Sequence, residues 1–330
     1  MTRLLRVELT RLRWRRAVLL LVALAVLIPT VIFGATVWNT RPVSAGDLER
    51  AQQLVEQETQ SPGLQRELQR CVAHPRQYGL DPSQDARTVC EDMMLPRLEW
   101  FTQRPVLDLV SERENTGVAV AVVLTMLLLL IGTTFVGHDW NSGSMSNQLL
   151  FEPRRAKVWA AKAVVVLLTG VLVAGLVLIA YWTGLWWVAE RRGLELADGA
   201  VSDAYRQAFR AALLAGFAGL GGYAVTMLFR STVATLGVLF ALAIAGPLLL
   251  TILGFPGHLR FMPQNNFAAV LLERTSMTDY SRPECVEIGP TMPESCVVRL
   301  TTRDGAGYFG GLLLLAGVPS LLSFRRRDVP

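Results

Sequence analysis

The apolar residues of this chain gather into six long runs separated by polar, charged segments. Residues 17–38, 117–137, 163–189, 211–229, 231–254 and 305–324 contain no Asp, Glu, Lys, Arg or His. Each is long enough to cross a hydrocarbon core of ~30 Å as a helix. The pattern predicts an all-α membrane protein with six transmembrane helices. Pro29 in the first run and Pro319 in the last are expected to bend their helices. The first run is a full span rather than a short signal-peptide core, and no small-residue cleavage site ends it.

The polar segments differ from one another. Residues 1–16 interleave Arg3, Arg6, Arg11, Arg13, Arg15 and Arg16 with leucines, Val7 and Trp14, the composition of an amphipathic helix lying in the membrane interface, its arginines toward anionic headgroups. Residues 39–116 contain helix formers and helix punctuation: Gly46 to Gln60, Pro62 to Ala73 (with Ser61-Pro62 as its start and Pro75 as its stop) and Asp85 to Leu95 are expected to be short helices of a small cap. Residues 138–162 form a polar, basic connector between the second and third runs, and residues 190–210 a mixed-charge loop. Residues 255–304 are polar except for the apolar stretch 265–272, too short to span. Residues 325–330 begin with three arginines that stop the last run.

Charge assigns these segments to sides. Placed alternately, residues 1–16, 138–162, 230 and 325–330 carry +10, while 39–116, 190–210 and 255–304 carry −5, together the net +5 of the chain. Positive charge accumulates on the cytoplasmic side, so both termini and the connector are expected in the cytoplasm. Residues 39–116, 190–210 and 255–304 are then extracytoplasmic. The same distribution argues against nucleic-acid binding, because the basic residues follow membrane sides rather than forming one face. Of the 32 basic residues only Lys157 and Lys162 are lysine, a bias pointing to the plasma membrane of a GC-rich bacterium. No internal repeat is present.

The four cysteines, Cys71, Cys90, Cys285 and Cys296, all fall in segments that charge places outside, where disulfides persist. They permit three pairings, of which Cys71 with Cys90 and Cys285 with Cys296 closes the shorter loops. No close Cys or His spacing suits a zinc site with His74 or His258, and no metal ligand set is expected.

Within the connector, Asp139, Gly143-Ser144, Leu149-Leu150, Pro153 followed by Arg154 and Arg155, and Lys162 form an ordered series. It resembles the connector of permease subunits of type-two ABC exporters, where an acidic residue, Gly-Thr, a Leu pair, Pro, a nearby Arg and Lys occur in that order. This chain has Asp139 where Glu is usual, Ser144 for Thr, and its arginines closer to the proline. The basic first segment, the span count and the Phe324 to Asp328 ending agree with that family's layout. The resemblance implies a cytoplasmic ABC ATPase dimer holding ATP and magnesium, a second permease, identical or related, and cargo passing between the permeases. It also implies short helices that dip back into the membrane near residues 265–272. On the connector, Trp140, Leu149, Leu150 and Phe151 offer apolar contacts to the ATPase and Asp139, Arg154 and Arg155 charged ones, with Gly143, Ser144 and Pro153 setting the shape.

Chemistry of this chain's own is not expected. It lacks a Gly-x-Ser-x-Gly elbow, a His-Glu-x-x-His helix and a phosphate-cradling G-x-x-x-x-G-K-[ST] loop, and His138-Asp139 has no nucleophile nearby. The apolar runs hold no ionisable relay for ion coupling. Thr125, Thr133, Tyr223 and Thr226 are the candidate cargo-path residues, each also able to bond within or between helices. Such a transporter needs an external motor and suits an amphipathic or lipid-like cargo. The alternative is a membrane sensor or scaffold whose outer cap binds a ligand and whose connector recruits an inner partner.

Overall fold

The computed structural model describes residues 2–80, 85–254, 257–280, 285 and 294–327 and is mostly helical. It divides into two compact units, Thr36–Leu107 and the rest of the chain.

The larger unit begins with α1 (Thr2–Arg13) and α2 (Arg16–Asn39), the latter running unbroken through Pro29 and ending in the smaller unit. In the smaller unit, α3 (Ala45–Thr59), α4 (Pro62–Ala73) and α5 (Ala86–Met94) fall where helix punctuation places them. Ser44 caps α3 in a reciprocal box with Asp47, and Ser61 caps α4 ahead of Pro62. Asp47 accepts from Arg104 at 2.9 Å and from Arg41 at 3.4 Å, so its carboxylate joins the start of α3 to both ends of the unit. Cys71 and Cys90, both fully buried, join α4 to α5. A short α6 (Leu98–Thr102) completes this unit.

The larger unit resumes with α7 (Leu109–Glu114) and continues through α8 (Thr116–Asn141), α9 (Ser144–Phe151), α10 (Arg155–Arg191), α11 (Ala200–Phe229) and α12 (Thr232–Leu253). It ends with α13 (Pro263–Leu272), strands β1 (Arg274–Thr278) and β2 (Val297–Thr301), and α14 (Thr302–Arg326). Among the described residues six helical stretches are long and apolar enough to cross a membrane: α2, α7 with α8, α10, α11, α12 and α14. Five overrun the charge-free runs, all but α12. The 37 residues of α10 span ~55 Å, well beyond a hydrocarbon core. The connector therefore shortens from 138–162 to residues 142–154, and the loop expected at 190–210 shortens to 192–199. Helical hydrogen bonding outlasts the apolar composition at these ends, and on α10 and α11 the extensions are rich in alanine, arginine and other good helix formers.

The centre of the bundle is α8, α10 and α11. Glycines let these helices approach: a Cβ on Gly132 of α8 would lie 2.0 Å from the Gly219 carbonyl oxygen, and one on Gly222 2.5 Å from that of Leu129. Small residues of this kind are what dispersion packing between membrane helices requires. In contrast α12 buries only Thr235.

The small sheet corrects the all-α expectation. β1 and β2 pair antiparallel with Arg274 opposite Thr301 and Thr278 opposite Val297. Val298 and Leu300 of β2 are buried, the alternation of a one-sided hairpin. Cys285–Cys296 closes the same hairpin, so both disulfides are the local pairs. The expected stretch 265–272 lies within α13, a helix of 10 residues and ~15 Å, too short to span. It packs on α14, where the Asn266 backbone lies 2.5 Å from a Cβ built on Gly305 and the Phe267 and Phe309 rings meet at 6.5 Å.

Candidate functional site

The residues that charge assigned to one side meet at one end of the bundle. At the end of α8, Gly143 adopts a left-handed φ of +67° that a side chain would strain, and α9 begins at the next residue. Trp140, half-buried, lies against the Phe324 ring at 6.2 Å and beneath the Arg230 guanidinium at 4.8 Å. The helix after the connector, α10, is tied to α14: Arg155 donates to the backbone carbonyls of Phe324 at 3.4 Å and Arg327 at 2.5 Å. Trp140 and Arg155, on either side of the connector, thus tie its two ends to Arg230 at the end of α11 and to α14.

A buried charge cluster fixes the other side of the connector. Asp139 is fully buried, although sequence reasoning gives it to an exposed docking rim. Its carboxylate accepts from Lys162 Nζ at 2.6 Å, from Arg11 Nη2 at 2.9 Å, from Ser144 Oγ at 2.8 Å and from Arg15. Lys162, equally buried, also donates to Glu8 Oε2 at 2.7 Å, and Glu8 accepts from Gln148 of α9. Arg11 completes the ring by donating to Gln148 Oε1 at 2.9 Å. Arg15 also donates to the Phe135 carbonyl, and the Phe135 ring lies beneath both Arg15 and Lys162. Two buried carboxylates and three cations are thereby paired and hydrogen-bonded, the condition under which buried charge is tolerated.

Two expectations need correction. The arginines of the first segment do not all face headgroups, because Arg11 and Arg15 turn inward with Glu8. Nor is the α-helical framework free of ionisable groups: Asp139 lies inside α8 and Lys162 inside α10. Charge-free runs of sequence end before the helices do, so a boundary drawn at the last apolar residue misses the pair.

Outward from this framework α9 presents Leu150, 80% exposed, and Phe151, 91% exposed. Leu149 is half-buried, while Pro153 and Arg154 are exposed beside them. Glu152 accepts from Lys157 at 2.6 Å, which holds its carboxyl below the usual range. The ten predicted docking residues therefore divide. Asp139, Ser144, Trp140 and Arg155 hold the connector in place, Gly143 shapes its turn, Leu149 lies between, and Leu150, Phe151, Pro153 and Arg154 form its outer surface.

The four cargo-path candidates sit within the bundle and use their hydroxyls there. Thr125 donates to Ala121 O at 2.7 Å, Thr133 to Leu130 O and Thr226 to Gly222 O, both at 2.8 Å. Tyr223 donates across to Trp159 O at 2.8 Å. Among the described residues no group of three His, Cys, Asp or Glu side chains is placed to hold a metal.

Glu8, Arg11, Arg15 and Gln148 were not identified as site residues from the sequence. One signal was present: Glu8 is the sole acid among six arginines in residues 1–16, and its spacing to Arg11 and Arg15 puts all three on one helical face. Gln148 carried none. No family model matches this chain, and neither a curated protein nor a solved structure matches it significantly.

Proposed function

We propose that this chain is the membrane subunit of an ATP-driven ABC exporter, and that α9 is where a cytoplasmic ATPase subunit docks. The observation that carries the reading is the pairing of a base held by buried ion pairs with an apolar tip. Two consecutive large side chains, Leu150 and Phe151, stand almost fully in the open at the end of a helix whose root is fixed by buried ion pairs. Large apolar side chains exposed beside polar residues are unfavourable in water unless a partner covers them, and a few residues buried at the centre carry most of an interface's binding energy. A root anchored by buried ion pairs suits a part that must transmit a push. The ordered series from Asp139 to Lys162 supports the same reading through its resemblance to type-two exporter permeases.

In this account both termini and α9 are cytoplasmic, the disulfide-bearing segments are extracytoplasmic, and two ATPase subunits bind ATP and magnesium. A second permease, identical or related, faces the first, with an amphipathic or lipid-like cargo moving between them. The positive charge of the connector end and the two disulfides support that sidedness.

Purification of the native assembly in mild detergent tests the proposal. A subunit with a nucleotide-binding loop is expected to accompany the chain, and Phe151→Ala to weaken that association by roughly 1–4 kcal/mol. Recovery of the chain without any nucleotide-binding subunit would favour a sensor or scaffold with the same outer segments.

A further inference from the structure

The cluster around Lys162 has a second face. Residues 2–16 contain a single acid, Glu8, and that acid is buried against Lys162 and Gln148. Arg11 and Arg15 turn inward onto Asp139. What remains outside is Arg3, Arg6, Arg13 and Arg16, all exposed, with no exposed acid on the same segment. Trp14, 72% exposed, stacks beside Arg13, and the first membrane-length helix starts at Arg16. An all-cationic outer face with an adjoining tryptophan, leading directly into a span, is complementary to a surface of anionic lipid headgroups.

The same helix therefore carries two recognitions. Its outer face suits a membrane surface, and its inner face holds α9 through Arg11, which donates directly to Gln148 Oε1 and Ser144 Oγ. We propose that α1 is a lipid-operated latch: anionic headgroups bound by Arg3, Arg6 and Arg13 hold α1 against the bundle, and the Glu8–Gln148–Arg11 contacts then hold α9 in its docking position. In a zwitterionic bilayer the outer arginines lose their counter-charge, α1 is held by its inner ion pairs alone, and α9 samples a wider range of positions about Asp139 and Lys162. The inference rests on α9 as the docking element only for its biological meaning; the lipid dependence is a property of this chain alone.

Spin labels at Thr10→Cys on α1 and Asn147→Cys on α9, both exposed positions, test the latch in the full-length chain. The four native cysteines are paired with one another and leave the introduced thiols to react. The distance distribution is measured in vesicles of phosphatidylcholine, and of phosphatidylcholine mixed with phosphatidylglycerol. A narrow distribution is expected in the mixed vesicles and a broad one in phosphatidylcholine alone. Inorganic phosphate added to phosphatidylcholine vesicles should leave the distribution broad, which separates a headgroup surface from a free anion.

The triple variant R3Q/R6Q/R13Q alters only exposed side chains and should stay broad in both lipids. Glu8→Gln, which breaks the inner contact without touching the outer face, should also broaden both. Equal widths for the unmodified chain in the two lipids would overturn the proposal, as would narrowing by phosphate alone, lipid dependence retained in the triple variant, or a narrow distribution in Glu8→Gln. Because no ATPase enters the measurement, failure of the exporter reading and failure of the latch are distinct results.

Discussion

The unit Thr36–Leu107 and the connector end of the bundle are held together by opposite means. The former leans mainly on local devices, a capping box at Ser44, a proline start at Pro62 and a disulfide across 19 residues, with the Asp47–Arg104 ion pair as a longer reach. The latter uses long-range ones. Asp139 meets Arg11 128 positions away, Lys162 meets Glu8 across 154, and Arg155 reaches the backbone of Phe324 across 169. A covalent, locally capped unit keeps its shape whatever its neighbours do. A cluster of buried charges holds only while every member stays in place, so removing one member is expected to loosen the whole connector end.

The difference is open to direct test. Lys162→Met leaves Glu8 and Asp139 buried with a missing cation and is expected to cost about 3–5 kcal/mol of stability at the connector end. Hydrogen exchange should quicken in α1 and α9 and stay unchanged in residues 45–102. The double variant C71S/C90S is the reciprocal experiment. Losing a disulfide of this loop length removes about 3 kcal/mol, and exchange should quicken in α3 to α5 while α9 keeps its protection. If either variant loosens both regions alike, the distinction between them is wrong.

The sequence and the structure agree most where the physical cause is local. Ser44, Ser61-Pro62 and Asp85 mark helix starts through hydrogen bonds to residues two or three positions on, so the helices of residues 45–94 were legible with their boundaries. The six membrane-length helices were legible because length and absence of charge are properties of a single run. The β1–β2 hairpin was not: its two short strands are separated by 18 residues, and pairing over that distance leaves only a weak alternation, as at Val298 and Leu300. The connector was legible as an element and misread in its parts. Asp139 and Leu150 both read as docking residues, yet one faces the core and the other solvent. The orientation of Asp139 depends on Arg11, Arg15 and Lys162, which no local pattern brings together.

A smaller effect separates the two regions by pH. Asp47 accepts hydrogen bonds from Ser44 and faces Arg104 and Arg41, which hold its carboxyl well below the usual range; Thr88 and the Arg87 amide hold Asp85 down in the same way. A carboxyl with a depressed folded pKa contributes stability above its unfolded value of about 4, lost as pH falls through the folded value. Proteolysis of residues 45–94 should therefore be unchanged from neutral pH to about 5 and quicken below 4. Asp47→Asn should lessen that acid sensitivity. A sensitivity unchanged by the substitution would remove Asp47 from the account.

The central claim is that α9 meets a nucleotide-binding subunit, and a photo-crosslinking residue in place of Phe151 tests it most directly. Illumination of intact cells, followed by isolation of the chain and sequencing of whatever is attached, should recover a protein carrying a G-x-x-x-x-G-K-[ST] loop. Crosslinks confined to lipid, or to a protein without that loop, would contradict the exporter account.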